Sequence, residues 1–258
     1  MSHRPSGRVV AVGDLAFRVL TDASGRDRGH PTVVLVHGIG VSHRYFLPLH
    51  RALAERTRVV SLDLPGFGGV PKPGRDLDVA AMAGAIGELL TALRLGPVVL
   101  VGHSMGAQWS VELAIQRPEL VERVVAIGPV ADRRHRSMLA QARALAVDSL
   151  GEAPWINQIV FTDYARCGIP WYLAQLRHML AHPLEERVAA LPVPLLVVRG
   201  DRDPIAGVRW SRELRDRAPV GALVHIPHSH HVAQHAAPRA VADAILAHAT
   251  GRASAHEG

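Results

Sequence analysis

Cysteine, lysine, aromatic side chains and long apolar runs are all scarce in this sequence. Its 258 residues include one cysteine, Cys167, which excludes an internal disulfide and a structural zinc site built from several cysteines. No stretch approaches the roughly 20 apolar residues of a membrane-spanning helix. Residues 1–8 are polar and are not followed by the apolar core of a signal peptide, so we expect a cytoplasmic protein.

Lysine is scarce although the chain is basic. Lys72 is the one lysine among 29 basic residues, which face 23 acidic residues and leave a formal net charge of +6. Such an excess occurs in nucleic-acid-binding proteins. Here, however, the arginines are scattered, and the densest basic run, residues 133–136, lies beside Asp132. This distribution favours solvated arginines on helix faces, and we expect no nucleic-acid partner.

Apolar residues and histidines, in contrast, are abundant. Apolar residues make up 48% of the sequence, which is enough for the core of one large domain. The 16 histidines could supply metal ligands or an acid–base catalyst. No H-E-x-x-H spacing or equivalent ligand set occurs, so we expect no metal site and favour an acid–base role.

Short apolar runs alternate with helical patterns along most of the chain. Residues 8–12 and 15–20 flank the turn Gly13-Asp14, which is typical of a β-hairpin. Further runs are typical of strands buried on both faces of a parallel sheet, namely residues 32–36, 59–62, 98–101, 124–127, 195–198 and 223–226. Helical patterns occupy residues 78–95, 104–116 and 238–249. This alternation predicts a doubly wound α/β sheet.

One long interval lacks a strand-like run. Residues 129–191 are rich in Ala, Leu and Arg and hold a large share of the few aromatic residues. Ligands of doubly wound sheets bind beyond the carboxyl ends of the strands, so we interpret this interval as a helical cap over that edge. Residues 1–128 and 192–258 then form the core domain. Ordinary packing helices are the alternative interpretation.

The motif Gly102-His103-Ser104-Met105-Gly106 follows one predicted strand and opens a predicted helix. This context is typical of a nucleophile elbow, in which glycines permit a strained turn that exposes the serine hydroxyl. A serine that merely caps the helix is the alternative. A serine nucleophile needs two backbone N–H donors for its oxyanion, and we predict Met105 and Ile39 for this role. Ile39 lies in the glycine-rich loop 37–40, after another predicted strand.

A base and an acid must activate such a serine, and two later segments offer both. Gly200-Asp201-Arg202-Asp203-Pro204 follows one predicted strand, and His228-Ser229-His230-His231 follows the last. The chain order is therefore serine, acid, histidine. The segments themselves leave open which aspartate and which histidine act.

Together these motifs resemble the α/β-hydrolase superfamily over nearly the whole chain. The matching segments are residues 37–40, 63–68, 102–106 and 200–203, Ile226-Pro227, His231 and Pro238. The resemblance implies a mostly parallel, eight-stranded, doubly wound sheet with a helical cap insertion. It implies Asp203 as the acid and His231 as the base. Asp201 is then a turn or salt-bridge residue, and Asp132 is a rival acid because some members carry the acid after the preceding strand.

Other residues are expected near the site without carrying the chemistry. We expect His37 and His103 to support its walls through hydrogen bonds, and Cys167 to be buried rather than a second nucleophile. The candidate pocket residues are His37, His103, Trp155, Trp171, Tyr172 and His230.

The predicted function is that of a serine hydrolase. It would cleave a carboxylic ester, lactone or thioester of a small molecule through an acyl-enzyme on Ser104, with no cofactor. One alternative is an acyltransferase or carbon–carbon bond hydrolase with the same catalytic residues. A ligand-binding, receptor-like protein on the same fold is another alternative.

Overall fold

The strands form one mixed sheet at the centre of the protein. The computed structural model describes residues 6–22, 31–134, 143, 147–148, 151 and 154–251. Residues 1–5 of the polar N-terminal stretch, and residues 135–142, 144–146, 149–150 and 152–153 of the predicted cap, lie outside the described part. The strands are β1 (Ser6–Val12), β2 (Leu15–Thr21), β3 (Val33–Val36), β4 (Val59–Asp63), β5 (Val98–His103), β6 (Val121–Ile127), β7 (Leu195–Gly200) and β8 (Gly221–Ile226).

The strand order confirms the predicted fold class. The eight strands are arranged β1-β2-β4-β3-β5-β6-β7-β8. The hairpin partners β1 and β2 are antiparallel, and β2 is antiparallel to β4. All pairings from β4 to β8 are parallel, so the carboxyl ends of these strands meet at one edge.

Helices cover both faces of this sheet. They are α1 (Leu47–Ala54), α2 (Val79–Ala92), α3 (Met105–Gln116), α4 (Pro154–Cys167), α5 (Ile169–Ala181), α6 (Leu184–Ala189), α7 (Val208–Arg217), α8 (Ala233–Ala236) and α9 (Pro238–Ala249). Asp78 caps α2 by accepting the Ala81 N–H at 2.8 Å. The helix ends at Ala92, earlier than the pattern to residue 95 predicts, because Arg94 has a positive φ of 53°. Among the described helices no stretch is both apolar and long enough to cross a bilayer.

Burial on two faces explains the continuous apolar runs. All residues of β3 are buried, and their side chains alternate between two core layers. Val34 and Val36 join the layer beneath α2 and α3, where Trp109 is fully buried. Val33 and Leu35 join the layer beneath α1 and α9. A one-sided sheet would instead show alternating polar positions.

The helices α4, α5 and α6 connect β6 to β7 and pack on loops at the carboxyl edge. Asp163 of α4 is fully buried and accepts hydrogen bonds from Ser42 Oγ and, at 2.9 Å, from Arg44 Nη1. Trp171 of α5 packs against Phe67, with ring centroids 6.1 Å apart. These contacts attach the inserted helices to the loops after β3 and β4. That the whole interval 129–191 acts as a cap stays a prediction.

Candidate active site

Ser104 occupies a strained turn between β5 and α3. Its φ of 57° and ψ of −122° lie outside the regions that a serine ordinarily adopts. Within the described residues its hydroxyl makes no capping hydrogen bond to α3, so the interpretation as a simple helix cap finds no support. The residue is 8% exposed.

The glycines around Ser104 are required by close backbone contacts. A Cβ added to Gly102 would lie 2.2 Å from the Gly106 carbonyl oxygen. A Cβ added to Gly106 would lie 2.3 Å from the Val36 carbonyl oxygen. Both distances are below any real carbon–oxygen contact. The turn can therefore form only where these two positions lack a side chain.

His231 and Asp203 form a buried pair beyond the ends of β8 and β7. His231 Nδ1 lies 2.9 Å from Asp203 Oδ2. The other carboxylate oxygen of Asp203 accepts the Ile205 and Ala206 N–H groups at 2.7 and 2.9 Å. Burial raises the pKa of Asp203, but the His231 ring and these hydrogen bonds outweigh burial and leave the pKa below its ordinary value. Asp203 is therefore held as a carboxylate that orients the imidazole.

The other aspartates considered from the sequence make different contacts. Asp132 accepts the Arg134 N–H at 3.0 Å and faces the guanidinium of that residue at 3.5 Å. Asp201 accepts the Ser229 N–H at 3.2 Å and so links the loop after β7 to the loop that carries His231. Asp203 is the aspartate that pairs with His231 Nδ1.

The predicted oxyanion donors flank Ser104. Met105 is the first residue of α3 and is fully buried. Ile39 follows Gly38, where an added Cβ would lie 3.0 Å from Ser104 Cβ and 3.4 Å from Ser104 Oγ. The glycine at position 38 thus allows the backbone of this loop to approach the serine side chain directly.

His37 holds the peptide group between Gly38 and Ile39. The Leu64 N–H points at His37 Nε2 at 3.1 Å, so Nε2 accepts and the ring proton resides on Nδ1. Nδ1–H donates to the Gly38 carbonyl at 2.7 Å. Because a trans peptide directs its N–H away from its carbonyl, this bond turns the Ile39 N–H away from His37. Burial lowers the pKa of His37, which favours this neutral form.

The remaining candidate pocket residues have different surroundings. The His103 ring is buried, with its centroid 4.7 Å from that of His231. Tyr172 packs against Tyr164, with ring centroids 5.2 Å apart, and both rings lie against Gly40. His230 is partly buried, and its ring lies against Gly151.

The two candidate tryptophans differ in exposure. Trp171 is buried against Gly66, where an added Cβ would lie 2.3 Å from Trp171 Nε1. Trp155 is 61% exposed and donates from Nε1 to His235 Nε2 at 3.2 Å. Trp171 therefore lies among the loops at the carboxyl edge, whereas Trp155 lies on the surface beside α8.

Two buried residues next to the site carry no sequence signal. Asp148 is 3% exposed and accepts the His231 N–H at 2.9 Å. Burial raises the pKa of this carboxyl group, His231 opposes the rise, and Asp203 adds to it. Tyr45 is 1% exposed and hydrogen-bonds to Gly38 and His103. Only the folded chain brings these residues to the site, since Asp148 and Tyr45 lie outside every motif.

Comparison with known proteins identifies the family of this chain. A family model for the α/β-hydrolase family matches residues 33–244. The chain belongs to the α/β-hydrolase family. Membership supports hydrolase activity on a small molecule and leaves the scissile bond unspecified.

Similar proteins include one relative and two solved structures that match most of this chain. (E)-2-((N-methylformamido)methylene)succinate hydrolase of Acinetobacter baylyi is 27% identical over 238 residues, which cover 85% of this chain and 90% of that protein. The enol-lactonase of Burkholderia xenovorans superposes with a TM-score of 0.80 at 21% identity and covers 94% of this chain and 100% of that one. The 2-hydroxy-6-oxo-6-phenylhexa-2,4-dienoate hydrolase of a Rhodococcus strain superposes with a TM-score of 0.74 at 23% identity, covering 96% and 99%.

Proposed function

We propose that this α/β-hydrolase is a serine hydrolase that cleaves the acyl bond of a small carboxylic ester, lactone or thioester. The observation that carries the proposal is the pairing of His231 Nδ1 with buried Asp203 at 2.9 Å, at the same sheet edge as the strained turn at Ser104. The pair follows β7 and β8, and Ser104 follows β5, so the parallel strands bring all three residues to one edge of the sheet.

The proposed reaction begins with attack of Ser104 Oγ on the acyl carbon. His231 Nε2 takes the hydroxyl proton, and Asp203 stabilises the resulting imidazolium. The Ile39 and Met105 N–H groups hold the oxyanion, and each such donor is worth roughly 3 kcal/mol of barrier. When the intermediate collapses, the acyl–oxygen or acyl–sulfur bond breaks, and His231 returns the proton to the leaving group.

The second half of the reaction releases the acyl group. Water gives a proton to His231 and attacks the acyl-enzyme, and collapse of the second intermediate returns the proton to Ser104 Oγ. An alcohol or thiol in place of water would produce acyl transfer by the same steps. Comparing water with these acceptors therefore distinguishes a hydrolase from an acyltransferase.

An acyl–nitrogen bond is the second candidate for cleavage. The Acinetobacter baylyi relative, which aligns with 85% of this chain, bears the name of a hydrolase whose substrate contains a formamido group. An amide passes through the same tetrahedral intermediates, and His231 would then protonate a leaving nitrogen. A series of p-nitrophenyl esters and matched p-nitroanilides separates the two bond types.

A fluorophosphonate probe tests the proposed nucleophile independently of the substrate. We expect covalent labelling of the wild-type protein at Ser104, and loss of labelling in Ser104→Ala and His231→Gln. Arg202→Gln is a control, since Arg202 lies in the same loop as Asp203 and is exposed. Full labelling or full ester turnover by Ser104→Ala would overturn the proposal. Labelling without turnover of any ester or anilide, together with ligand binding, would support a receptor-like protein instead.

A further inference from the structure

A buried chain of hydrogen bonds joins the loop after β3 to the loop that carries His231. The Gly38 N–H donates to Tyr45 Oη at 2.8 Å. Tyr45 Oη lies 2.9 Å from His103 Nδ1, and His103 Nε2 lies 3.0 Å from the His231 carbonyl oxygen. Tyr45 and His103 are 1% and 3% exposed, so water does not compete for these bonds.

The two ends of this hydrogen-bond chain, together with the lowered pKa of His103, place its protons. The Gly38 N–H can only donate, so Tyr45 Oη accepts there and directs its own proton to His103 Nδ1. The His231 carbonyl can only accept, so His103 carries its single ring proton on Nε2. His103 is thus a neutral imidazole in one tautomer. Burial lowers the pKa of His103 well below its ordinary value, and the neighbouring His231 adds to this effect.

A neutral His103 suits its position beside the proposed base. The two ring centroids are 4.7 Å apart, so a second positive charge on His103 would oppose formation of the His231 imidazolium. The chain also ends on the main chain of His231, whereas Asp203 binds the side chain of the same residue. Backbone and ring of the base are therefore held from two directions.

We propose that Tyr45 and His103 are positioning residues that hold the base loop at a set distance from the oxyanion loop. Tyr45 binds Gly38, the residue before the predicted donor Ile39, and His103 binds His231. The inference rests on the proposed function, in which both loops act on one carbonyl group. A displacement of about 1 Å between such groups costs up to about 100-fold in rate.

The variants Tyr45→Phe, His103→Leu and His103→Gln test whether this hydrogen-bond chain positions the two loops. Tyr45→Phe keeps the ring and removes the oxygen that joins Gly38 to His103. His103→Leu removes both bonds of the imidazole, whereas the glutamine amide in His103→Gln restores a donor near the position of Nε2. His50→Leu is the matched control, because His50 is a buried histidine that bonds to Ser61 Oγ at 2.7 Å, between α1 and β4.

The readouts are kcat and KM for p-nitrophenyl butyrate, the fluorophosphonate labelling rate and the midpoint of thermal unfolding. We expect Tyr45→Phe and His103→Leu to lower kcat and the labelling rate by about 10-fold or more, with KM changed by less than about twofold. His103→Gln should recover part of the loss. The double variant Tyr45→Phe/His103→Leu should lose no more kcat than His103→Leu alone, because either substitution already interrupts the hydrogen-bond chain.

The control variant should change stability without changing catalysis. His50→Leu should lower the unfolding midpoint and leave kcat unchanged. Wild-type kcat in Tyr45→Phe, or losses that multiply in the double variant, would overturn the inference. If His103→Leu does not fold, Tyr45→Phe, His103→Gln and their combination decide the same question. Retained turnover in Ser104→Ala would overturn the proposed function, whatever the result for Tyr45 and His103.

Discussion

At the scale of single residues, the site depends on places where no side chain fits. Gly106 lies against the Val36 carbonyl, and Gly38 lies against the Ser104 side chain. Gly128, with a φ of 53°, lies against the His231 and Asp203 pair, where an added Cβ would be 2.9 Å from His231 Nδ1. Close backbone approach is thus how this sheet edge brings main-chain groups near the proposed catalytic side chains.

Alanine at position 106 should destabilise the protein. Its Cβ would lie 2.3 Å from a backbone oxygen of β3, so α3 and β3 would have to separate. We expect Gly106→Ala to lower the free energy of unfolding by about 2 kcal/mol or more, measured by urea denaturation.

Gly84→Ala provides the matched comparison. Gly84 lies within α2, and its added Cβ would meet Gln116 Oε1 at an ordinary 3.5 Å. Alanine there should raise the free energy of unfolding by about 0.5 to 1 kcal/mol, since it reduces the entropy of the unfolded chain. If Gly106→Ala and Gly84→Ala changed the free energy of unfolding equally, the close contact at Gly106 would not control the packing of α3 against β3.

At the scale of secondary-structure elements, α4 is attached to the core by a buried charge. Asp163 of α4 is fully buried and binds Ser42 and Arg44 of the segment that follows β3. Ser42 directly precedes the turn His43–Phe46, which contains both Arg44 and Tyr45. The attachment of the inserted helices and the proposed positioning chain therefore meet on one short stretch of backbone.

Removing the buried carboxylate should release α4 before it unfolds the sheet. We expect Asp163→Ala to lower the free energy of unfolding by about 2 kcal/mol, because Arg44 and Ser42 lose their shared acceptor. Hydrogen exchange should increase in α4 more than in α9. The control is Asp243→Ala, whose carboxylate is 67% exposed and pairs with an exposed Arg56, and which should change stability several times less.

At the scale of the whole molecule, one buried acid connects the core helix α3 with the inserted helices. Glu112 binds Arg187 through both oxygens, at 2.8 and 3.0 Å, and lies 3.6 Å from His182. His182 and Arg187 together lower the pKa of Glu112 to about 2, against burial, which raises it. Because this pKa lies below the ordinary value of 4.5, ionised Glu112 stabilises the fold.

The contribution of Glu112 should vanish in acid. It is fully present above the unfolded-state pKa of 4.5 and is lost as the pH falls toward the folded-state value of about 2. We expect Glu112→Gln to lower the free energy of unfolding by about 2 kcal/mol at pH 7 and by much less near pH 2.5, measured by chemical denaturation. Asp78→Asn keeps a side-chain cap on α2 and controls for loss of an acidic group. An equal loss of unfolding free energy at both pH values would contradict the conclusion that ionised Glu112 stabilises the fold.

Some features of the fold were predictable because they depend on neighbours in the chain. The strand at residues 98–101 and the helix cap at Asp78 could be predicted from the local sequence pattern alone, and both form as expected. The helices α1 and α7 were missed. In α7 four arginines obscure the two large buried side chains, Trp210 and Leu214. Amphipathic helices with short apolar faces are recognised only once the opposing surface is known.

The parallel sheet, the glycine-lined turn at Ser104 and the order in which the candidate serine, acid and histidine follow their strands could all be inferred from the amino-acid sequence. The folded chain was needed to show that Asp203 pairs with His231, and that Tyr45, His103 and Asp148 contact the same site. The difference is one of distance along the sequence. Strand burial and turn strain depend on adjacent residues. His103 and His231, in contrast, are 128 residues apart in the sequence, and only the side-by-side pairing of parallel strands brings them together.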